Sequence, residues 1–251
     1  MSVKRGIFLA PFDELVEPTA LAELATSAEE RGWDGFFLWD HIKYQPPVRA
    51  VADPWVCLAA IACATERLRI GPMVTPLSRR RVQKLARETV TLDRLSGGRL
   101  TLCVGLGSTS SGELEPFGEV IDPRERARLL DQGLERLTAF WAGEFEPAPV
   151  QQPRIPIWVA GRWPNRRPVK RAVRWDGFFP IDLPESSALG ELVEDVRGLR
   201  GGTDDFDVVV EISPGDDVDP WDAAGATWVL TAFDSQPRRA EVQGAIEAGP
   251  G

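Results

Sequence analysis

The chain has 251 residues, of which 43% are hydrophobic, and a formal net charge of -9. This length fits one domain or at most two small ones. The acidic charge argues against a nucleic-acid or anionic-membrane partner, because phosphate-rich surfaces recruit basic proteins. The single histidine, His41, excludes metal sites built from several histidines, and we expect no metal. The sequence also lacks the GxSxG elbow of serine hydrolases and the phosphate-binding Walker A motif.

The cysteines and the N-terminus favour a cytoplasmic protein. Cys57, Cys63 and Cys103 lie in apolar surroundings without a CxxC pair, so we expect buried, reduced thiols. The opening MSVKRGIFLAPFDE is too short and too quickly acidic for a signal peptide. No apolar run approaches the ~20 residues of a membrane span, so we expect no membrane partner.

Short apolar runs alternate with helical patterns in the first part of the chain. Apolar runs closed by proline, glycine or polar residues predict strands at residues 6–11, 35–40, 68–75 and 100–106. Helical spacing predicts helices at residues 17–31, 82–95 and 123–141. A further helix begins at Asp53 and Pro54, an N-cap followed by a first-turn proline.

The alternation continues after a proline-rich segment at residues 143–153. Strands are predicted at residues 155–161, 177–181, 206–212 and 226–233, and helices at 168–175, 186–199, 219–224 and 237–248. Such βα repeats over 251 residues predict a single-domain (β/α)8 TIM barrel spanning residues 1–251. A doubly wound open sheet is the alternative, because the helix at 219–224 is only about one turn long.

Residues 53–107 resemble the bacterial-luciferase-like family of flavin- or deazaflavin-dependent oxidoreductases. The similar motifs are DP at 53–54, ATER at 64–67, LDRLSGGR at 92–99 and VGLG at 104–107. Further similar motifs are AEERGWDGF at 28–36, WDH at 39–41, EPFG at 115–118, PIWVAG at 156–161 and RWDG at 174–177. The chain resembles a short member, without the long lid insertion of larger relatives. Residues 143–153 also replace a longer segment that often forms a hairpin beside the mouth.

The resemblance implies a cofactor site at the mouth of the barrel. It places His41 beside the flavin or deazaflavin ring, where a histidine can exchange protons near neutral pH. The alternative is a histidine that only packs. It also implies a non-proline cis peptide bond between Met73 and Val74 that supports the ring from behind. The alternative there is an ordinary strand end.

The other candidate contacts lie where strands end. Gly105 and Gly107 permit close approach of the backbone, and the glycine turn after the fifth strand, with its local arginines, suits a cofactor phosphate. The remaining predicted cofactor contacts are Trp39, Asp40, Val159, Ala160, Gly161, Arg162 and Trp163. The alternatives are a loop cap for Asp40 and a solvated loop for the arginines. For residues 78–81, which include three arginines, a solvated start of the next helix is favoured over a site that binds an anionic tail or substrate.

We therefore predict an oxidoreductase that binds reduced FMN or coenzyme F420 without a covalent bond and acts on a small organic substrate. With FMN, the resemblance implies a monooxygenase supplied by a separate flavin reductase. A homodimer is also expected, because the nearly all-apolar helix at 57–65 must bury its surface. The shortened segment at 143–153 leaves a non-catalytic flavin-binding relative as the alternative. An unrelated hydrolase or aldolase on the same barrel ranks lower.

Overall fold

The computed structural model describes residues 3–250. The strands are β1 (Lys4–Leu9), β2 (Gly35–Leu38), β3 (Arg69–Pro72), β4 (Thr75–Pro76), β5 (Leu102–Gly105), β6 (Ile157–Arg162), β7 (Gly177–Ile181), β8 (Asp207–Ile212) and β9 (Trp228–Ala232). The helices are α1 (Pro18–Glu30), α2 (Pro54–Ala64), α3 (Val82–Leu95), α4 (Pro123–Ala139), α5 (Arg167–Ala172), α6 (Ser186–Arg200), α7 (Asp219–Ala223) and α8 (Arg239–Ala248).

The strands form one parallel sheet that closes into a barrel. Their order is β3-β2-β1-β9-β8-β7-β6-β5-β4. The two ends meet because β4 follows β3 along the chain and because Ile70 of β3 forms a parallel bridge to Leu100, just before β5. The nine strands therefore occupy the eight positions of a barrel, the third position being split at residues 73–74. The predicted TIM barrel is confirmed, and the open doubly wound sheet is excluded.

Large aromatic rings fill the interior of the barrel below its mouth. Phe37, Trp158 and Trp228 form this aromatic plug, and all are buried. Glycines make room for the rings: a Cβ atom on Gly35 would lie 2.6 Å from Phe37, and one on Gly177 would lie 2.5 Å from Trp158. Inward-facing residues of a barrel pack as layers, so the interior is a solid core rather than a pore.

Residues 143–153 cross the rim at which the strands begin. Asp93 of α3 accepts hydrogen bonds from the backbone N of Val150 at 2.7 Å and from Nε2 of Gln151 at 2.7 Å. The same Nε2 donates to the carbonyl oxygen of Leu100, just before β5, at 2.7 Å. The segment therefore lies at the opposite end of the barrel from the strand ends that form the mouth.

The cysteines differ in their exposure. Cys57 and Cys103 are buried, as expected, but Cys63 is exposed. Position 63 lies on the outer face of α2, so the expectation of a buried thiol is wrong there. No helix within residues 3–250 is long and apolar enough to cross a membrane.

Candidate active site

A cleft of about 470 Å³ opens at the rim where the strands end. Its floor consists of the inward-pointing residues Phe8, Met73, Ala160 and Phe179, because side chains alternate between the two faces of a strand. The loops that leave the strands form its walls. A mostly apolar concavity of this size at the mouth of a TIM barrel suits a small-molecule ligand.

Most of the predicted contacts meet in this cleft. The lining includes Trp39, His41, Met73, Val74, Gly105, Gly107, Ala160, Gly161 and Arg162. The peptide bond between Met73 and Val74 is cis, as the resemblance implied. Residues far apart in the sequence are thus brought to one surface by the barrel.

The side chains of three predicted cofactor contacts lie outside the cleft. Asp40 and Val159 alternate with residues that point into the barrel, so their side chains are buried on its outer side. Trp163 stacks instead with the guanidinium group of Arg166, which lies 4.3 Å from the ring centre. These three residues therefore do not line the cleft, and their assignment as cofactor contacts stays a prediction.

Asp40 joins the loop after β2 to the segment that follows β4. Its buried carboxylate accepts a hydrogen bond from Oγ1 of Thr75 at 2.7 Å and forms ion pairs with Arg79 at 3.1 Å and Arg80 at 2.6 Å. Burial alone would raise the pKa of Asp40, but the charges of the two arginines and the hydrogen bond from Thr75 hold it below its usual value. Two arginines of the basic segment that was expected to be solvated, Arg79 and Arg80, are therefore largely buried counter-charges of Asp40, whereas Arg81 is exposed.

The imidazole of His41 lies beside the carboxylate of Glu113, a residue of the loop after β5. Its Nδ1 atom lies 3.1 Å from Oε2 of Glu113, whose side chain has no exposed surface. Burial alone would raise the pKa of Glu113, but the hydrogen bond and charge of His41, together with the charge of Arg79, lower it. The other carboxylate oxygen, Oε1, is buried without a hydrogen-bond partner within residues 3–250. A buried acceptor of this kind is costly unless a ligand or water satisfies it.

Aromatic rings enclose the imidazole of His41. Its centroid lies 5.0 Å from that of Tyr44, 5.9 Å from that of Trp39 and 6.0 Å from that of Phe12. These contacts fix the position of the imidazole and shield one side of it from water.

The glycines that line the cleft serve packing as well as access. A Cβ atom on Gly105 would lie 2.7 Å from Cγ1 of Val74, so the glycine leaves room for the supporting wall. A Cβ atom on Gly161 would lie 2.2 Å from Cβ of Pro168. The missing side chain of Gly161 thus faces α5 rather than the cleft, and substitution there would disturb the packing of α5 on β6.

Residues 6–223 match the family model of the luciferase-like monooxygenases. The chain belongs to this family. An uncharacterised protein of Mycobacterium tuberculosis is 29% identical in an alignment that covers 90% of each chain. The F420-dependent glucose-6-phosphate dehydrogenase of Beutenbergia cavernae is 28% identical, over 90% of this chain and 73% of its own.

Flavin-dependent oxygenases and F420-dependent reductases are both similar to this luciferase-like chain. The oxygenase component of a flavin-dependent trigonelline monooxygenase of Acinetobacter baylyi is 26% identical, over 61% of this chain and 44% of its own. The solved structure of a coenzyme F420-dependent tetrahydromethanopterin reductase from Methanopyrus kandleri has a TM-score of 0.79, at 17% identity, and covers 98% of this chain and 97% of its own. That likeness shows that the two share the same fold.

Positive charge in the cleft of this family member comes from two arginines, Arg162 at the end of β6 and Arg171 on α5. Arg162 forms an ion pair with Asp182, and Arg171 lies 2.6 Å from Asp131. Both arginines line the cleft. Each guanidinium group has more donors than one carboxylate oxygen can use, so each can bind an anionic group while keeping its partner.

The sequence patterns missed several residues that line the cleft. Glu113 lies in a loop without periodicity, and no sequence signal separates it from its polar neighbours. Tyr44 and Arg171 follow no motif. Glu211 could have been found, because it is a charged residue inside a predicted strand and shares the parity of the buried Val209.

Proposed function

We propose that this chain is an oxidoreductase that binds reduced FMN or coenzyme F420 without a covalent bond and acts on a small organic substrate. When bound, the ring would supply the redox chemistry, either hydride transfer or the activation of oxygen. The protein would supply binding, orientation and proton handling. With FMN as the cofactor, a separate reductase would deliver it in reduced form. We place the reaction in the cytoplasm, where free thiols such as Cys63 persist.

The pairing of His41 with Glu113 beside a flat apolar wall is the observation that carries this proposal. Met73 and Val74 line the wall on one side of the cleft, and Gly105 keeps the approach to it clear. The orphaned Oε1 of Glu113 fits a hydrogen-bond donor on a bound ligand. In this arrangement, His41 moves protons at the ring or substrate, and Glu113 holds the imidazole in place.

We propose that the cofactor phosphate binds near the backbone of Gly161 and the side chains of Arg162 and Arg171. These three residues all line the cleft, at the end of β6 and on the α5 that follows it. The net charge of -9 would otherwise repel an anion, so a local pair of guanidinium groups is the favourable place for it.

Titration of the purified protein with FMN and with F420, in both redox states, tests the proposal. Ring fluorescence should change on binding of one cofactor at least. Ala160→Phe should abolish binding, because Ala160 forms part of the cleft floor. The matched control is Ala240→Phe on the exposed side of α8, which should bind as the parent does. If neither cofactor binds in either redox state, the proposed function is wrong.

The phosphate site has its own test. Arg162→Ala should weaken FMN severalfold but leave riboflavin, which lacks the phosphate, unchanged, and the effect should shrink as salt rises. Arg197→Ala is the control, because Arg197 is a comparably exposed arginine in an ion pair with Glu194 on α6. Equal losses of FMN and riboflavin affinity in Arg162→Ala would place the phosphate elsewhere.

We also propose that the protein is a homodimer through the outer face of α2. Val56 is 61% exposed, Cys63 is exposed, and Ala59 lies half-buried between them on the same face. An uncharged helix face of this kind is suited to a second copy of the chain. Val56→Asp should yield a monomer in sedimentation, whereas Leu199→Asp, at an exposed leucine of α6, should leave the dimer intact. A monomeric parent at micromolar concentration would contradict the proposal.

The non-catalytic alternative rests on two features, the short segment at residues 143–153 and the missing lid. The short segment lies at the far rim and does not contact the cleft. Turnover of any substrate by the cofactor-loaded protein would exclude this alternative.

A further inference from the structure

Glu211 is an acidic residue inside the barrel that neither the His41–Glu113 pair nor the proposed phosphate site uses. Side chains of β8 alternate, and the buried Val209 points into the barrel interior. Glu211 shares its parity, sits at the last inward position of the strand and lines the cleft. The register places Leu230 of β9 opposite Glu211, and the inward residues of β7 near its end are Phe179 and Ile181, so the flanking strands offer Glu211 no charge.

The carboxyl group of Glu211 has no ionic or hydrogen-bonding partner within residues 3–250. The charged groups that face it from the adjacent strand ends are Arg162 of β6 and Asp182 after β7, and these two are paired with each other. The strands on its other side, β9 and β1, present Ala232 and Phe8. Burial raises the pKa of Glu211 to about 7, and the negative charge of Asp182 adds to the rise against the opposing charge of Arg162.

The barrel order places Glu211 across the mouth from Met73 and Val74. Going from β3 in one direction, β2, β1 and β9 come before β8, and in the other direction, β5, β6 and β7 come before it. The strand position that carries Glu211 is therefore diametrically opposite the split third position. A flat ring resting on the Met73–Val74 wall would turn its free face, where a substrate binds, towards Glu211.

From this placement we propose that Glu211 contacts the substrate and donates a hydrogen bond from its protonated carboxyl group to a carbonyl or hydroxyl oxygen. The proposal rests on the cofactor binding proposed above and adds the class of substrate. The surrounding Phe8, Phe179 and Ile181 are apolar, so the substrate is an uncharged compound with a compact apolar body and one such oxygen. An anionic substrate would instead meet the negative charges of Asp182 and Glu211, while the proposed phosphate site occupies Arg162 and Arg171.

The test uses the cofactor-loaded protein and ligand-observed NMR, which detects millimolar binding. The probes are cyclohexanone and cyclohexanol, with cyclohexanecarboxylate as the anionic comparison. We expect the parent to bind the ketone and the alcohol more tightly than the carboxylate. Glu211→Leu should weaken the ketone about tenfold, the loss expected for one hydrogen bond in a buried site. Glu211→Gln, which keeps N–H donors, should retain most of the affinity, and Glu241→Gln on the exposed surface of α8 should bind as the parent does.

The pH dependence separates a proton donor from a residue that only fills space. In the parent, affinity for cyclohexanone should fall as the pH rises through about 7, and in Glu211→Gln this fall should disappear. His41, Glu113, Arg162, Arg171 and Asp182 all remain in the variant, so the difference between the two profiles isolates Glu211.

Failure of this inference differs from failure of the proposed function. Loss of cofactor binding by the parent would overturn the function and, with it, this inference. Normal cofactor binding without detectable binding of either neutral probe would overturn the inference alone. Equal ketone affinity in the parent and in Glu211→Leu would also overturn it, as would a carboxylate bound more tightly than the ketone.

Discussion

Replacing Asp40 by asparagine should destabilise the fold rather than the cofactor complex. The change keeps the shape of the side chain but leaves Arg79 and Arg80 without their shared counter-charge. The arginine side chains are only 3% and 16% exposed, and breaking a buried ion pair on one side costs about 3–5 kcal/mol. The partial exposure of Arg80, and the contact of Arg79 with Glu113 at 3.8 Å, place the expected loss near the lower end.

The loss of stability is measurable by urea and thermal unfolding, both monitored by circular dichroism. A loss of about 3 kcal/mol would lower Tm by roughly 6–12 °C in a domain of this size. Asp182→Asn is the matched control, because Asp182 is paired with Arg162 at an exposed site, where such pairs contribute about 1 kcal/mol or less. The double variant Asp40→Asn, Arg80→Gln should recover part of the loss, since it removes one unpaired charge.

The lowered pKa of Asp40 also predicts how the stability of the fold changes at acidic pH. The pKa of Asp40 is lower in the folded protein than in the unfolded chain. Its contribution to stability is therefore fully present above the unfolded value of ~3.9 and is lost as the pH falls through the folded value. A loss below about 1 kcal/mol in Asp40→Asn at pH 7, or an acid transition unchanged by the substitution, would refute the reasoning.

The remaining predictions concern a glycine pair, a glutamate and the thiols. Gly71→Ala should prevent folding or strongly destabilise the fold, because the added Cβ atom would lie 2.0 Å from the carbonyl oxygen of Thr101, where the barrel closes. In the control Gly190→Ala on α6, the added Cβ atom meets nothing within 4 Å, and the substitution should raise Tm slightly. Glu211→Gln should stabilise the protein at pH 8 but not at pH 4. The pKa of Glu211 is raised from 4.5 to about 7 in the folded protein, so the free energy of unfolding of the parent falls by about 3 kcal/mol as the pH rises from 4.5 to 7. Equal Tm differences between variant and parent at both pH values would contradict this prediction. In the monomeric Val56→Asp variant, Cys63 should react with Ellman's reagent while the protein is folded, whereas the buried Cys57, whose pKa burial raises to about 11, should react only on unfolding.

Periodicity predicted the barrel well because each βα unit carries its own local signal. The observed α3 spans the predicted residues 82–95, and β7 spans the predicted 177–181. The split between β3 and β4 could not be read from pattern, because the apolar run at 68–75 is continuous and only the resemblance implied a break at Met73–Val74. The end of α4 at Ala139, followed by a π-helical turn to Glu144, was also invisible to helical spacing.

The orientation of the side chains at the site has a different origin. Asp40 and Val159 were grouped with their neighbours as predicted cofactor contacts, and two-residue alternation turns their side chains away from those of Trp39 and Ala160. Glu113 could not be predicted, because the loop that carries it has no period and its partner His41 is far away in sequence. Tertiary closure of the barrel brings them together.

The aromatic plug has a practical consequence for the way the molecule can be handled. Phe37, Trp158 and Trp228 separate the cleft from the rim crossed by residues 143–153, so the two ends of the barrel have no common solvent space through its axis. A tether, fluorophore or fused domain attached at Glu146, which is exposed at that rim, should leave ligands free to enter the cleft. The protein could then be anchored to a surface through its base with every molecule presenting its mouth to the solution.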